Sequence, residues 1–135
     1  MPIFSKKSGD ILLTCCHEIQ LICNKAIPIY DFTVIWGIRA QEEQDRLFHQ
    51  GLSTKQYPDS KHNVIPPQEL SDAVDIAPYP VNWKDLYRFI FLAGIMFSIA
   101  KQENINLRWG GNWDMDTEII SDQTFQDLCH YEIIR

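Results

Sequence analysis

AVDIAPYP, residues 73–80, is the stretch on which the fold turns. Ala73, Val74, Ile76 and Ala77 enclose a single carboxylate, Asp75, in an apolar run too short for a helix and closed by the prolines of PYP. Such a run reads as a strand buried in the protein. A carboxylate there is costly to bury unless a positive group meets it. Spacing alone leaves two partners open: a metal cation, or a pairing with Arg39 or Lys61 at the surface end of the strand.

Toward the N-terminus, STKQYPDSKHNVIPPQELSD (53–72) is polar, broken by Pro58, Pro66 and Pro67, and reads as loop. FTVIWGI (32–38) is rich in β-branched and aromatic residues and predicts a strand, and RAQEEQDRLFHQG (39–51) predicts a helix stopped by Gly51. Arg39 then stands at the strand-to-helix junction. Asp10 is the expected N-cap of a first helix over ILLTCCHEIQLICNKAI (11–27), where Leu12, Cys16, Ile19 and Cys23 recur at helical steps. Toward the C-terminus come a long core helix from Trp83 to about Gln102, a strand LRWGG (107–111), an acidic loop NWDMDTEIISD (112–122) and a last strand FQDLCHYEII (125–134). No repeat, linker or low-complexity tract interrupts this order. Residues 1–135 are therefore expected to form a single small α+β domain, a mostly antiparallel sheet packed against helices.

Composition agrees with that class and excludes others. A chain of 135 residues fits one domain, burying about two-thirds of its unfolded surface. The net charge of −6 argues against nucleic acid as a partner, because phosphate backbones are bound by clustered Lys and Arg. Phe89 to Ala100 (FIFLAGIMFSIA) is the most hydrophobic run and falls short of the roughly 20 residues needed to span a bilayer, so a core helix is expected and no stable membrane insertion. Cys15, Cys16, Cys23 and Cys129 form no C-x-x-C pair and read as reduced thiols. The N-terminal stretch makes a poor signal peptide, and synthesis in a cytoplasm is expected.

Three residues could hold a metal: His62 in the loop, Asp75 in the buried strand and His130 in the last strand. Zinc takes such nitrogen and carboxylate ligands and keeps a fourth position open when it is catalytic. Asp127 lies three residues before His130, and in a regular strand residues three apart point to opposite faces. Either the backbone turns across DLCH to bring both to one site, or only one of them functions. Brought together, Asp127 could accept a proton from an attacking water; a structural salt bridge is the other reading. Arg39 likewise has two readings, a substrate contact or a pairing with Asp31, Glu42 or Glu43.

Taken together, CHEIQLICNKAI, YDFTVIWGIRAQEEQDRLF, SKHN, AVDIAPYP, LRWGGNWD and DLCHYEI resemble, in order, the zinc D-alanyl-D-alanine carboxypeptidases and phage L-alanyl-D-glutamate endolysins. The resemblance runs from about residue 13 to the end. It implies a zinc site on the sheet, with His62 and Asp75 from the S-x-H…A-x-D motif and His130 from the closing acid-x-x-H motif as ligands. It implies Asp127 as catalytic base and Arg39 as a residue that binds substrate and steadies an oxyanion, with Gln44 and Ser60 as further substrate contacts. The expected activity is that of a zinc metallopeptidase on peptidoglycan stem peptides, of L-alanyl-D-glutamate endolysin type. A D-alanyl-D-alanine carboxypeptidase is the alternative within the class. A non-catalytic wall-binding module with a decayed metal site, or a cysteine peptidase using Cys129 and His130, are the alternatives outside it. The expected setting is a monomer made in the bacterial host cytoplasm that reaches the wall once a partner opens the membrane.

Two positions depart from the family pattern. His62 and Asp75 are thirteen apart, where the compact motif S-x-H-x-x-G-x-A-x-D has a shorter step. The extra VIPPQE should bulge outward, because loop-closure cost grows slowly with length, although Asp72 could then compete as ligand. Cys129 stands where many relatives carry proline, and alternation should turn its sulfur away from His130 into the core. DMDTE (114–118) reads as a solvated acidic loop, for it lacks the glycine and glutamate of a calcium loop. Trp109 and Trp113 could line a substrate cleft or belong to core and turn, and His17 and His49 read as ordinary helix residues.

Overall fold

A computed structural model describes residues 1–135. The elements follow the chain as α1 (Lys6–Leu12), α2 (His17–Ala26), β1 (Phe32–Trp36), α3 (Gln41–His49), β2 (Ala73–Pro78), α4 (Leu86–Gln102), β3 (Leu107–Gly110) and β4 (Asp127–Ile133). The strands form one antiparallel sheet in the order β1-β2-β4-β3, which puts AVDIAP at its centre. All six residues of β2 are buried. Its odd and even positions serve different faces: Val74 and Ile76 join Tyr131 and Ile133 of β4 in a core completed by Ile19 and Ile22 of α2 and Leu92 and Met96 of α4. The other face carries Asp75, which pairs directly across with His130.

The expected first helix is two helices. Asp10 lies inside α1, paired with Lys6 at 2.8 Å, and Ser5 is the cap, accepting from the Ser8 N–H at 3.2 Å. Between α1 and α2 the backbone leaves helical geometry to meet a distant segment: Ser71 N–H donates to the Thr14 carbonyl at 2.9 Å and Cys16 N–H to the Ser71 carbonyl at 2.8 Å. Helical propensity yields to this pairing across the fold. Phe89 to Ala100 lies within α4, whose buried face presents Phe89, Leu92, Ala93, Met96, Ile99 and Ala100. No helix is long and apolar enough to cross a membrane. All four cysteines are free.

The last strand is interrupted where the site needs it. Trp109 of β3 pairs with Tyr131, but its neighbour Gly110 pairs with Asp127, so β4 advances from 127 to 131 against one step of β3. This bulge lets Leu128 pack on the core while Asp127, Cys129 and His130 all face a cleft. Gly110 makes the bulge possible. A Cβ there would fall inside contact distance of the Asp127 carbonyl oxygen, at 2.7 Å from the carbonyl carbon and 2.9 Å from the Asp127 Cβ. Gly110→Ala is expected to lower stability by about 1–3 kcal/mol, as overpacking against backbone does, and to displace Asp127. A urea denaturation midpoint unchanged from the parent protein would contradict this.

Candidate active site

The face of the sheet opposite the core opens into a cleft of about 860 Å³. At its floor the ligand atoms of His62, Asp75 and His130 lie within 4.8 Å of one another, and all three residues are buried. Asp75 Oδ1 stands 3.1 Å from His62 Nε2 and 3.2 Å from His130 Nδ1. The thirteen-residue step between His62 and Asp75 leaves the two in contact, so the longer loop does not separate them. Asp72 is elsewhere, bonded to Arg135 at 2.9 Å, and does not compete.

The outer nitrogen of each histidine is already engaged. His62 Nδ1 meets the Gly37 carbonyl at 2.8 Å, and a carbonyl can only accept, so that nitrogen carries the hydrogen. His130 Nε2 meets Glu132 Oε1 at 2.8 Å, and Glu132 is held in turn by Arg108 at 2.7 Å. Fixing the outer hydrogens aims the inner lone pairs at Asp75, the second-shell arrangement that orients metal-binding imidazoles. Two nitrogen lone pairs and a carboxylate cannot share that space without positive charge between them, supplied by added protons or by a cation. Burial alone would raise the Asp75 carboxyl, yet the charge of His62 and the hydrogen bonds of both histidines hold it well below the ordinary range. Burial opposes protonation of His130, but its bonds to Asp75 and Glu132 outweigh that and push it up to about 9. The donor set thus fits a divalent metal, and its nitrogen and oxygen chemistry suits zinc.

Asp127 is brought to the same place. Its carboxylate, that of Asp75 and the Cys129 sulfur lie within 4.8 Å of one another. It makes no ion pair, so the salt-bridge reading does not hold. Burial, reinforced by the charge on Asp75, holds its carboxyl above the ordinary range, the direction suited to a base working near neutral pH.

Cys129 departs from expectation: its sulfur points into the cleft and donates to Asp127 Oδ1 at 3.2 Å. The bulge, which breaks strand alternation, is the reason. Burial next to Asp75 and Asp127 pushes the thiol up. The thiol's hydrogen-bond partner is Asp127 and not His130, so the Cys129–His130 pair that the cysteine-peptidase reading needs is not formed.

Arg39 is buried and pairs with Asp75, Nη2 to Oδ2 at 3.1 Å, rather than with Asp31, Glu42 or Glu43. Its guanidinium lies 5.0 Å from the Trp36 ring centroid and lines the cleft, with the Nε hydrogen unpartnered. Asp75 therefore has Arg39, one of the partners that its position suggested. Lys61 is exposed and forms no ion pair with it.

Gln44 does not line the cleft. It is wholly buried, accepting from Arg39 Nη1 at 3.1 Å and donating to Ser53 Oγ at 3.0 Å and the Lys55 carbonyl at 2.6 Å. It braces the arginine, and the helical turn that buries it is the cause. Ser60 lines the cleft, its Oγ accepting from the His62 N–H at 3.2 Å, which leaves the hydroxyl hydrogen for another partner. Trp109 belongs to the core and Trp113 to the cleft.

Glu132, Asn63 and the Gly37 carbonyl were not among the expected site residues. Glu132 could have been found, because it is two residues from His130 and shares its strand face. Asn63 joins Arg39 and Ser60 through its amide, at 3.0 Å to the Arg39 carbonyl and 3.1 Å from the Ser60 N–H. A backbone carbonyl leaves no mark in a sequence.

A family model described as phage L-alanyl-D-glutamate peptidase matches residues 2–134. The L-alanyl-D-glutamate peptidase of Escherichia phage T5 is similar, at 29% identity over 116 residues, 82% of this chain and 81% of that protein. The crystal structure of the Serratia marcescens L-Ala D-Glu endopeptidase ChiX is similar in fold, with a TM-score of 0.74 and 21% identity over 97% of this chain and 89% of that one.

Proposed function

This chain belongs to the phage L-alanyl-D-glutamate peptidase family, and we propose that it opens the L-alanyl-D-glutamyl bond of peptidoglycan stem peptides with zinc held by His62, Asp75 and His130. The observation that carries the zinc reading is the converging set of two histidine lone pairs and one carboxylate, with both outer imidazole hydrogens tied off. With three protein ligands, a bound zinc would keep a fourth position for water or substrate, as in catalytic zinc sites. When bound, zinc supplies Lewis acidity, which acidifies a water and polarises a carbonyl.

The chain's own residues do the rest. Asp127, held above its usual carboxyl range and fixed by the Cys129 thiol, accepts the proton of the attacking water. The same carboxyl later returns a proton to the leaving amine of D-glutamate. Arg39, immobilised by Asp75 and Gln44, lends the charge of its guanidinium to the developing oxyanion. Ser60 offers its hydroxyl hydrogen to the peptide. The non-catalytic reading rested on the long step from His62 to Asp75, and their 3.1 Å contact removes that reason. In this reading the protein acts as a monomer at the cell wall, after another component has opened the membrane.

Dialysis against a chelator is expected to abolish release of peptide from purified peptidoglycan, and added zinc to restore it. A ligand held only by the folded state stabilises it by about 2.7 kcal/mol at a hundredfold excess over Kd, so the thermal midpoint should rise on loading. Full hydrolysis by the chelated protein would refute the zinc reading.

A further inference from the structure

The cleft that holds the metal ligands differs in character on its two sides. On the side of β3 and the loop after it, Trp113 sits with its ring centroid 5.6 Å from that of His130, and Phe125 stacks on Trp113 at 5.9 Å with 12° between the planes. Both rings line the cleft, and Phe125 is 45% exposed. The pair is held in place: Trp113 Nε1 donates to the Phe125 carbonyl at 3.0 Å, and the Trp113 N–H to Gln123 Oε1 at 3.0 Å. The loop that carries them is acidic, with Asp114, Asp116 and Asp122 exposed and clustered. On the side of β1 and the loop after α3, the cleft is lined by Lys55 and Lys61, exposed and without ion-pair partners, beside Arg39 and a single acid, Asp59.

The substrate has the same polarity. On the acyl side of an L-alanyl-D-glutamyl bond in peptidoglycan lie one alanine, a lactyl ether and an uncharged N-acetylated pyranose. On the amine side lie the α-carboxylate of D-glutamate and the charged tail of the peptide. We propose that Trp113 and Phe125 form a subsite for that pyranose, so that the preferred substrate is the stem peptide still joined to its glycan. The proposal rests on the bond specificity stated above and extends it to the sugar.

Reach supports it. Alanine and the lactyl group span roughly 7–8 Å, two residue lengths of extended chain, which matches a platform that begins against His130. A pyranose ring presents a face of C–H groups, and a fixed aromatic face is the surface that takes it with little loss of freedom. Of the other cleft aromatics, the Trp36 ring is covered by Arg39, and Trp83 packs with α4 through Phe89 and has no contact with His130 such as Trp113 makes. The acidic loop beside the platform repels the anionic tail and the lysines opposite attract it, which sets the direction in which the peptide lies.

The test compares a disaccharide-linked stem peptide with the same peptide released from its sugar by an amidase. The zinc-loaded protein is expected to show kcat/KM about tenfold higher on the sugar-linked form, the scale of one good aromatic contact. Phe125→Ala should bring the ratio near one and Phe125→Tyr should keep it, with thermal melts confirming that both variants fold. Equal kcat/KM on the two substrates, or a ratio that Phe125→Ala leaves intact, would overturn the subsite while the peptidase reading stands. Failure to open either substrate would remove both.

Discussion

Asp127→Ala is expected to yield a folded protein that keeps its zinc and loses kcat/KM on stem peptides by about 10²–10⁴, the contribution of a positioned general base. The carboxylate lies in the cleft, unpaired by any cation of the chain, with the Cys129 thiol as its hydrogen-bond donor at 3.2 Å. The acids beside the histidines are committed elsewhere, Asp75 to His62, His130 and Arg39 and Glu132 to His130 and Arg108, and Asp59 stands on the lysine side of the cleft. Asp127→Asn should behave alike, because the amide keeps the shape and cannot accept the proton. Zinc content and melting temperature near the parent values, alongside the lost rate, would assign the effect to chemistry. Activity within tenfold of the parent in both variants would show that the base lies elsewhere.

The second large effect is on the proposed metal centre. Asp75→Ala removes one proposed ligand and leaves Arg39, 6% exposed, facing two histidines with no anion between them. Breaking a buried charge arrangement from one side costs about 3–5 kcal/mol, so the metal-free variant should unfold at markedly lower urea and bind no stoichiometric zinc. Asp75→Asn restores the shape without the charge and should recover part of the stability and none of the hydrolysis. Asp72→Ala is the control, since Asp72 pairs with Arg135 outside the cleft, and it should keep full zinc content. Zinc retained by Asp75→Ala and lost by Asp72→Ala would reverse the ligand assignment.

Much of this arrangement was legible in the residues. A carboxylate inside AVDIA announced a buried strand with an unmet charge, and the three-residue step from Asp127 to His130 left either a break in strand alternation or a single functional residue. The bulge opposite Gly110 is that break. What stayed hidden depends on contacts between distant segments. Ser71 splits the first helix from across the fold, and no periodicity within residues 11–27 could signal it. Gln44 looked like a substrate contact because its position in the motif says nothing of which way the first turn of α3 faces. Cys129 was sent to the core by a rule for regular strands, in the one stretch of β4 that is not regular.

The most direct measurement is mass spectrometry of purified peptidoglycan after incubation with the zinc-loaded protein, with chelated protein and Asp127→Ala alongside. The predicted products are peptides with a new D-glutamyl amino terminus and glycan that keeps its L-alanine, formed only by the loaded parent protein. Release of D-alanine instead, or peptides left intact by the loaded protein, would contradict the assignment.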